Sequence, residues 1–266
     1  MGDIEGYDGW YEPLVGALFG HLYYERVWDK QRGRDHFILG NGQRDSWLNS
    51  IRTFVLNEAS ARFPEAAKGG YLVIAEPNGS VGAPLLMEAL PESRMIFLIR
   101  DPRDVVASSL DGHQEGGWAS ARKKKEREEG KATKIRTPDA HVKRSAAKYS
   151  QFIGNAKVAY DAHAGRKVLV RYEELRADTL GTMKNIYSTL ELPVEEEILA
   201  RVIEKHSWEN IPEKNKGPNR PRRKATPGGW RQDLTTEQAG IVEEITSPVM
   251  DEFYPGWERA RTPPPD

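Results

Sequence analysis

The stretch MIFLIRDPRDVVASSL, Met95 to Leu110, decides how this chain is read. Its first five residues, Met95 to Ile99, are apolar with no polar alternation, which predicts a strand buried on both faces of a parallel sheet. The run then stops in Arg-Asp-Pro-Arg-Asp. Pro102 stands where a first helical residue belongs, with Asp101 before it as N-cap and Asp104 in the first turn. Val106 and Leu110 follow four apart on one helical face, and Asp104 and Ser108 four apart on another. The stretch therefore predicts strand, tight turn and helix, with Arg100 at the carboxyl end of the strand. In open α/β sheets ligands bind at that end, and a helix N-terminus there favours anions. An arginine in that place points to a phosphate-like partner.

Working outward, two more short apolar runs end in charge. YLVIA (Tyr71 to Ala75) stops at Glu76-Pro77, and KVLVRY (Lys167 to Tyr172) carries Arg171 and is followed by Glu173. Between and around the strands, helical patterns are expected in PLVGALFGHLYYERVWDK, from Asp45 to Arg62, in VGAPLLMEAL, from Asp139 to about His163, twice between Asp178 and His206, and from Thr235 to about Phe253. Strands alternating with helices make βαβ units and a parallel sheet, so the expected class is α/β, three-layered, with helices on both faces. Gly112 to Thr137 is polar and charged, a solvated helix or loop, and Asn215 to Trp230 is a Pro/Gly/Arg loop too punctuated for regular structure.

Composition narrows the function. The chain has 266 residues, a formal net charge of −1, six histidines and no cysteine. The charge argues against a general nucleic-acid binder. The missing cysteines exclude disulfides, thiolate zinc sites and cysteine nucleophiles, and the histidines show no metal-ligand spacing. No apolar run reaches the roughly 18 residues of a membrane span, and the acidic, aromatic start MGDIEGYDGW is unlike a signal peptide. A cytoplasmic protein without metal is the expectation; the sequence does not reveal its oligomeric state.

RDPRDVVAS, with Arg100 and Ser108 eight residues apart, resembles the 3′-phosphate-binding strand and helix of the sulfotransferases that use 3′-phosphoadenosine-5′-phosphosulfate (PAPS). VLVRYEEL resembles the family's later strand, whose Tyr-Glu pair lies near the adenine, and RRKATPGGWRQDLT looks like its C-terminal basic loop. The resemblance runs from about Tyr71 to Phe253. It implies a P-loop-like α/β fold, PAPS as co-substrate, no metal, and a small-molecule or glycan acceptor. It also implies one domain over 1–266: a helical part to 70, a nucleotide-binding core over 71–254 and a tail from 255. Carried over by residue, it makes Arg100, Ser108, Tyr172, Arg223, Lys224 and Gly229 nucleotide-binding, with Gly228 beside them. Glu76 stands where the family keeps its base, about two dozen residues before Arg100.

Each assignment has a competitor. Arg100 has possible ion pairs in Asp101, Asp104 and Glu173, and Ser108 suits helix packing. Arg222, Arg223 and Lys224 suit a solvated loop, and Glu76 suits tying down its turn. A P-loop kinase relative is disfavoured, because no Gly-Lys-Ser/Thr sequence occurs. One family feature is absent: the opening strand and Lys/Arg-Ser-Gly-Thr-Thr loop that hold the 5′-phosphosulfate. FILGNGQRDSW (Phe37 to Trp47) imitates it only superficially. The expectation is a sheet missing its first strand, in a chain that starts after the loop, with a non-catalytic nucleotide-binding remnant as the alternative function.

Overall fold

The computed structural model describes residues 3–25, 33–113, 117, 120, 137–217, 220, 222 and 224–257. It is an α/β protein of parallel strands flanked by helices. Strand β1 (Tyr7–Tyr11) pairs in parallel with β2 (Tyr71–Ala75), Tyr7 opposite Tyr71 and Tyr11 opposite Ala75. Strands β3 (Met95–Ile99) and β4 (Lys167–Arg171) form the second two-stranded sheet. The helices are α1 (Val15–Gly20), α2 (Arg44–Arg62), α3 (Ala83–Ala89), α4 (Pro102–His113), α5 (Pro138–Ala162), α6 (Tyr172–Ala177), α7 (Thr179–Thr189), α8 (Glu196–Lys205), α9 (Trp230–Asp233) and α10 (Thr236–Phe253).

The chain divides into two compact units. One comprises Met1–Phe97, Phe152–Leu169 and Met183–Val202, the other Leu98–Gln151, Val170–Thr182 and Ile203–Asp266. In the first, α1, α2 and α3 bury Val15, Phe19, Ile51, Val55, Leu85 and Ala89 together. In the second, α4 turns Val106, Ala107 and Leu110 onto Val142 and Ala146 of α5, Trp230 of α9, and Ala239 and Val242 of α10. These positions recur at helical spacing, so each helix buries one stripe. Helix α10 opens with a capping box: Thr235 Oγ1 accepts from the Gln238 amide, and the Gln238 side chain accepts from the Thr235 amide.

Two expectations change. A strand does precede β2: Tyr7–Tyr11 is β1, which Asp8 and Gly9 hide from a search for apolar runs. The first strand is therefore present, and what the chain lacks is the phosphate-loop sequence after it. β3 is also not covered on both faces, since Met95, Phe97 and Ile99 are buried while Ile96 and Leu98 are exposed. Five apolar residues in a row do not distinguish one covered face from two.

Candidate functional site

Arg100 follows β3, with its guanidinium 4.5 Å from the centre of the Tyr172 ring at the start of α6. The three carboxylates that compete for it have other partners. Asp101 caps α4, accepting from the Arg103 amide at 2.8 Å and from the Arg103 guanidinium at 2.7 and 3.0 Å. Glu173 accepts from the Asp101 amide at 2.9 Å and from the Tyr254 hydroxyl at 3.1 Å. Asp104 accepts from the amides of Gly228 and Trp230 at 2.8 and 2.9 Å, and stands 3.9 Å from Arg100, too far for a hydrogen bond. Arg100 Nε is buried and has no hydrogen-bond partner among the described residues. A guanidinium steered by a ring, with its neighbouring acids engaged elsewhere, has donors left for an anion.

Behind it lies a buried ionic frame. Arg103, only 4% exposed, also pairs with Glu243 of α10 at 3.0 Å and lies 4.2 Å over the Trp230 ring. A buried charge needs such complete pairing. The frame fixes the start of α4 against the loop before α9, and Asp104 holds that loop directly through two backbone amides.

In front opens a cleft of about 320 Å³ that lies wholly in the second unit. Arg100, Ser108, Tyr172, Lys224 and Gly229 all line it, so five of the expected nucleotide-binding residues share one wall system. Arg223 lies outside the described residues. The amide of Gly228 is bonded to Asp104, so of the two glycines only Gly229 lines the cleft. Lys224 also pairs with Asp233 at 2.9 Å.

The cleft includes residues that sequence reading missed: Arg176, His206, Trp208 and Ile211, with Ala225 and Thr226 from the basic loop, whose Arg222, weighed above, lines it too. Arg176 had a signal, since it stands four residues after Tyr172 and shares its face of α6. Its Nε donates to the Ala225 carbonyl at 3.1 Å, tying α6 to the loop. Trp208 follows the end of α8, where no periodicity marks it. Arg100, Arg176, Arg222 and Lys224 give the lining four permanent cations, and no Asp or Glu is among the described residues that line it, although Asp233 pairs with Lys224 and Asp104 lies 3.9 Å from Arg100 at its edge.

Glu76 belongs to the first unit and has a definite job in it. Its two carboxylate oxygens accept from the Gly16 amide at 2.9 and 3.0 Å, satisfying the α1 N-terminus where Leu14 supplies no side-chain cap. Burial pushes its carboxyl above the ordinary value, against the pull of the Gly16 and Ala17 amides. A Cβ on Gly16 would meet the Gly79 carbonyl at 2.3 Å, so only glycine lets α1 and the turn after β2 approach this closely. The turn between β1 and α1 is strained: Glu12 and Leu14, neither of them glycine, sit at φ 49° and 59°.

Among the described residues no group of three or more His, Asp and Glu side chains is placed to hold a metal ion. Among them, too, no helix is long and apolar enough to cross a membrane.

Residues 13–196 match the model of the Sulfotransferase family. A curated rat relative, Sulfotransferase 2A6, is 25% identical over 189 residues, covering 62% of this chain and 59% of that protein. The match thus spans less than two thirds of the relative's length. Among solved structures, mouse sulfotransferase SULT7A1 complexed with PAP is similar at TM-score 0.52 and 16% identity, over 96% of this chain and 87% of the other. Retinol dehydratase in a complex with retinol and PAP is similar at TM-score 0.50 and 17% identity, over 92% and 81%. A complex of retinol dehydratase with androsterone and inactive cofactor PAP gives 0.50 and 16%, over 94% and 82%.

Proposed function

This chain belongs to the sulfotransferase family, and from that premise we propose that it is a PAPS-dependent sulfotransferase. In this reading its cleft holds the 3′-phosphoadenosine portion of PAPS. The sulfuryl group goes to a hydroxyl or amine of a small-molecule or glycan acceptor. The supporting observation is the cleft itself, whose described lining holds four cations and the aromatic side chains of Tyr172 and Trp208, with no Asp or Glu among the described lining residues. A 3′-phosphate carries nearly two negative charges and several acceptor oxygens. Arg100 offers a guanidinium fork, Ser108 a hydroxyl, Lys224 a point charge and Gly229 its backbone, with Arg223 as a further grip from the same loop. Tyr172 and Trp208 flank the base, where stacking on aromatic rings contributes without sequence-specific hydrogen bonds. Residues 1–266 act as one domain, in the cytoplasm, and Glu76 takes the acceptor's proton.

The fit to PAPS is one-sided. From Tyr7 to Gly20, the strand, turn and helix that open the fold, there is no Lys, Arg, Ser or Thr. The Gly16 amide is bonded to a carboxylate already. These residues do not fit a 5′-phosphosulfate, and no step at sulfur is assigned to them. That observation favours a second reading, a nucleotide-binding remnant that keeps the 3′-phosphate site and has lost transfer. Titration with 3′-phosphoadenosine-5′-phosphate (PAP), followed by incubation with PAPS and phenolic, sugar and amine acceptors, separates the two. Binding with PAPS consumption supports the first reading. Binding without consumption moves the function to the second, and absence of PAP binding overturns both.

A further inference from the structure

The carbonyl of Arg100 and the amide of Asp101 belong to one trans peptide plane. It lies between the end of β3 at Ile99 and the start of α4 at Pro102, a residue with no N–H to give. Both polar groups of this plane are taken by side chains from other helices. The Tyr149 hydroxyl of α5 donates to the Arg100 carbonyl, and Glu173 of α6 accepts from the Asp101 amide at 2.9 Å. We propose that Tyr149 is a positioning residue for Arg100. By holding that carbonyl it sets the direction in which the guanidinium leaves the backbone, and with it the preference for a 3′-phosphate. The inference rests on the reading of Arg100 given above.

Three observations carry it. Tyr149 follows Val142 and Ala146 at helical spacing, so it lies on the buried stripe of α5, and its hydroxyl comes out against the Arg100 carbonyl. Burial, helped by the nearby carboxylates of Asp101 and Glu173, holds its phenol above the ordinary range, so it keeps its proton and remains a donor.

Second, the C=O and N–H of a trans peptide point opposite ways, so Tyr149 and Glu173 grip the plane from both sides. Holding it restricts the backbone rotations on either side, and the Cα–Cβ bond of Arg100 is aimed with them. The Glu173 end is itself anchored, since its other carboxylate oxygen accepts from the Tyr254 hydroxyl of α10 at 3.1 Å. Third, the guanidinium is steered from the same place. It lies 4.5 Å from the centre of the Tyr172 ring, and Tyr172 stands next to Glu173 in α6. Backbone and head group of one arginine are thus both fixed. A guanidinium fork meets an anion with two parallel bonds only when it is aimed, and a misplacement of about 1 Å is enough to lose much of that contact. A ligand without the 3′-phosphate makes no such demand on Arg100.

The test is calorimetric titration of the parent protein, Tyr149→Phe, Arg100→Ala and the double variant with PAP and with adenosine 5′-monophosphate. Tyr149→Phe should weaken PAP by about 5- to 20-fold, the scale of one lost hydrogen bond, and leave the monophosphate within about twofold. In the Arg100→Ala background the same change should alter PAP by less than about twofold, because the group it positions is gone. A tyrosine with a merely structural role would weaken both ligands alike, or keep its effect without Arg100. Either result, or unchanged PAP affinity in Tyr149→Phe, overturns the inference and leaves the proposed function standing. If Tyr149→Phe does not fold, Tyr254→Phe decides, since it loosens the Glu173 end of the same plane. PAP should then weaken by about 2- to 5-fold with the monophosphate unchanged, and equal effects on both ligands, or none on PAP, overturn the inference. If the parent protein binds no PAP, this inference and the proposed function fail together.

Discussion

The carboxylate of Asp104, near the start of α4, accepts the backbone amide of Gly228 at 2.8 Å, across 124 residues of sequence. The same carboxylate accepts the Trp230 amide at 2.9 Å. A buried side chain near the start of α4 thus sets the path of the basic loop that supplies Lys224 and Gly229 to the cleft. Asp104→Ala should lower stability by about 2–4 kcal/mol, two charge-assisted hydrogen bonds with their buried donors left unpaired. Asp104→Asn, which keeps one acceptor oxygen, should cost less. Urea denaturation of the three proteins checks the order.

Ala225 sits in the same loop at φ 52°, a conformation that L side chains resist. Its carbonyl receives Arg176, so the conformation is held by α6. Glycine at this position removes the clash between Cβ and backbone. Ala225→Gly should raise stability by about 1 kcal/mol, less the entropy that glycine adds to the unfolded chain, with PAP affinity nearly unchanged. A lower melting temperature together with weaker binding would contradict the loop geometry described here.

The sequence revealed most of the second unit. The strand ending in Arg100, the Asp101 cap, the Val106–Leu110 face and the Tyr172 position follow from apolar runs broken by charge, a local signal. It revealed less of the first. β1 has Asp8 and Gly9 at its centre and is a strand only because β2 pairs with it over five residues. Trp208 and Arg222 enter the cleft from irregular segments, where position depends on long-range packing and no period announces it. The competing ion pairs of Arg100 were unreadable for the same reason. Whether Asp104 serves Arg100 or the loop amides depends on where residue 228 arrives, not on the sequence around 100.

Glu76 is the residue whose role turns most on pH. Its carboxyl titrates above the ordinary value because burial disfavours the charged form. Protonation therefore favours the fold. The contribution is fully present below the unfolded value near 4.5 and is lost as pH rises through the higher folded value. The difference in melting temperature between the parent protein and Glu76→Gln should grow in the parent's favour from pH 7 to pH 4, by a few degrees for each kcal/mol. A constant difference across that range would mean that Glu76 titrates as an exposed acid. In turnover, Glu76→Gln should leave PAP affinity nearly unchanged and abolish PAPS consumption, whereas retained consumption removes Glu76 from the reaction.

Arg100, in the function proposed above, reads a 3′-phosphate. Calorimetry of the parent protein and Arg100→Ala with two ligands, PAP and adenosine 5′-monophosphate, which lacks that phosphate, decides this. Arg100→Ala should weaken PAP by about 1.5–3 kcal/mol, the scale of a hydrogen bond to a charged group, and leave the monophosphate within about 0.5 kcal/mol. Equal losses for both ligands, or no loss for PAP, would contradict it.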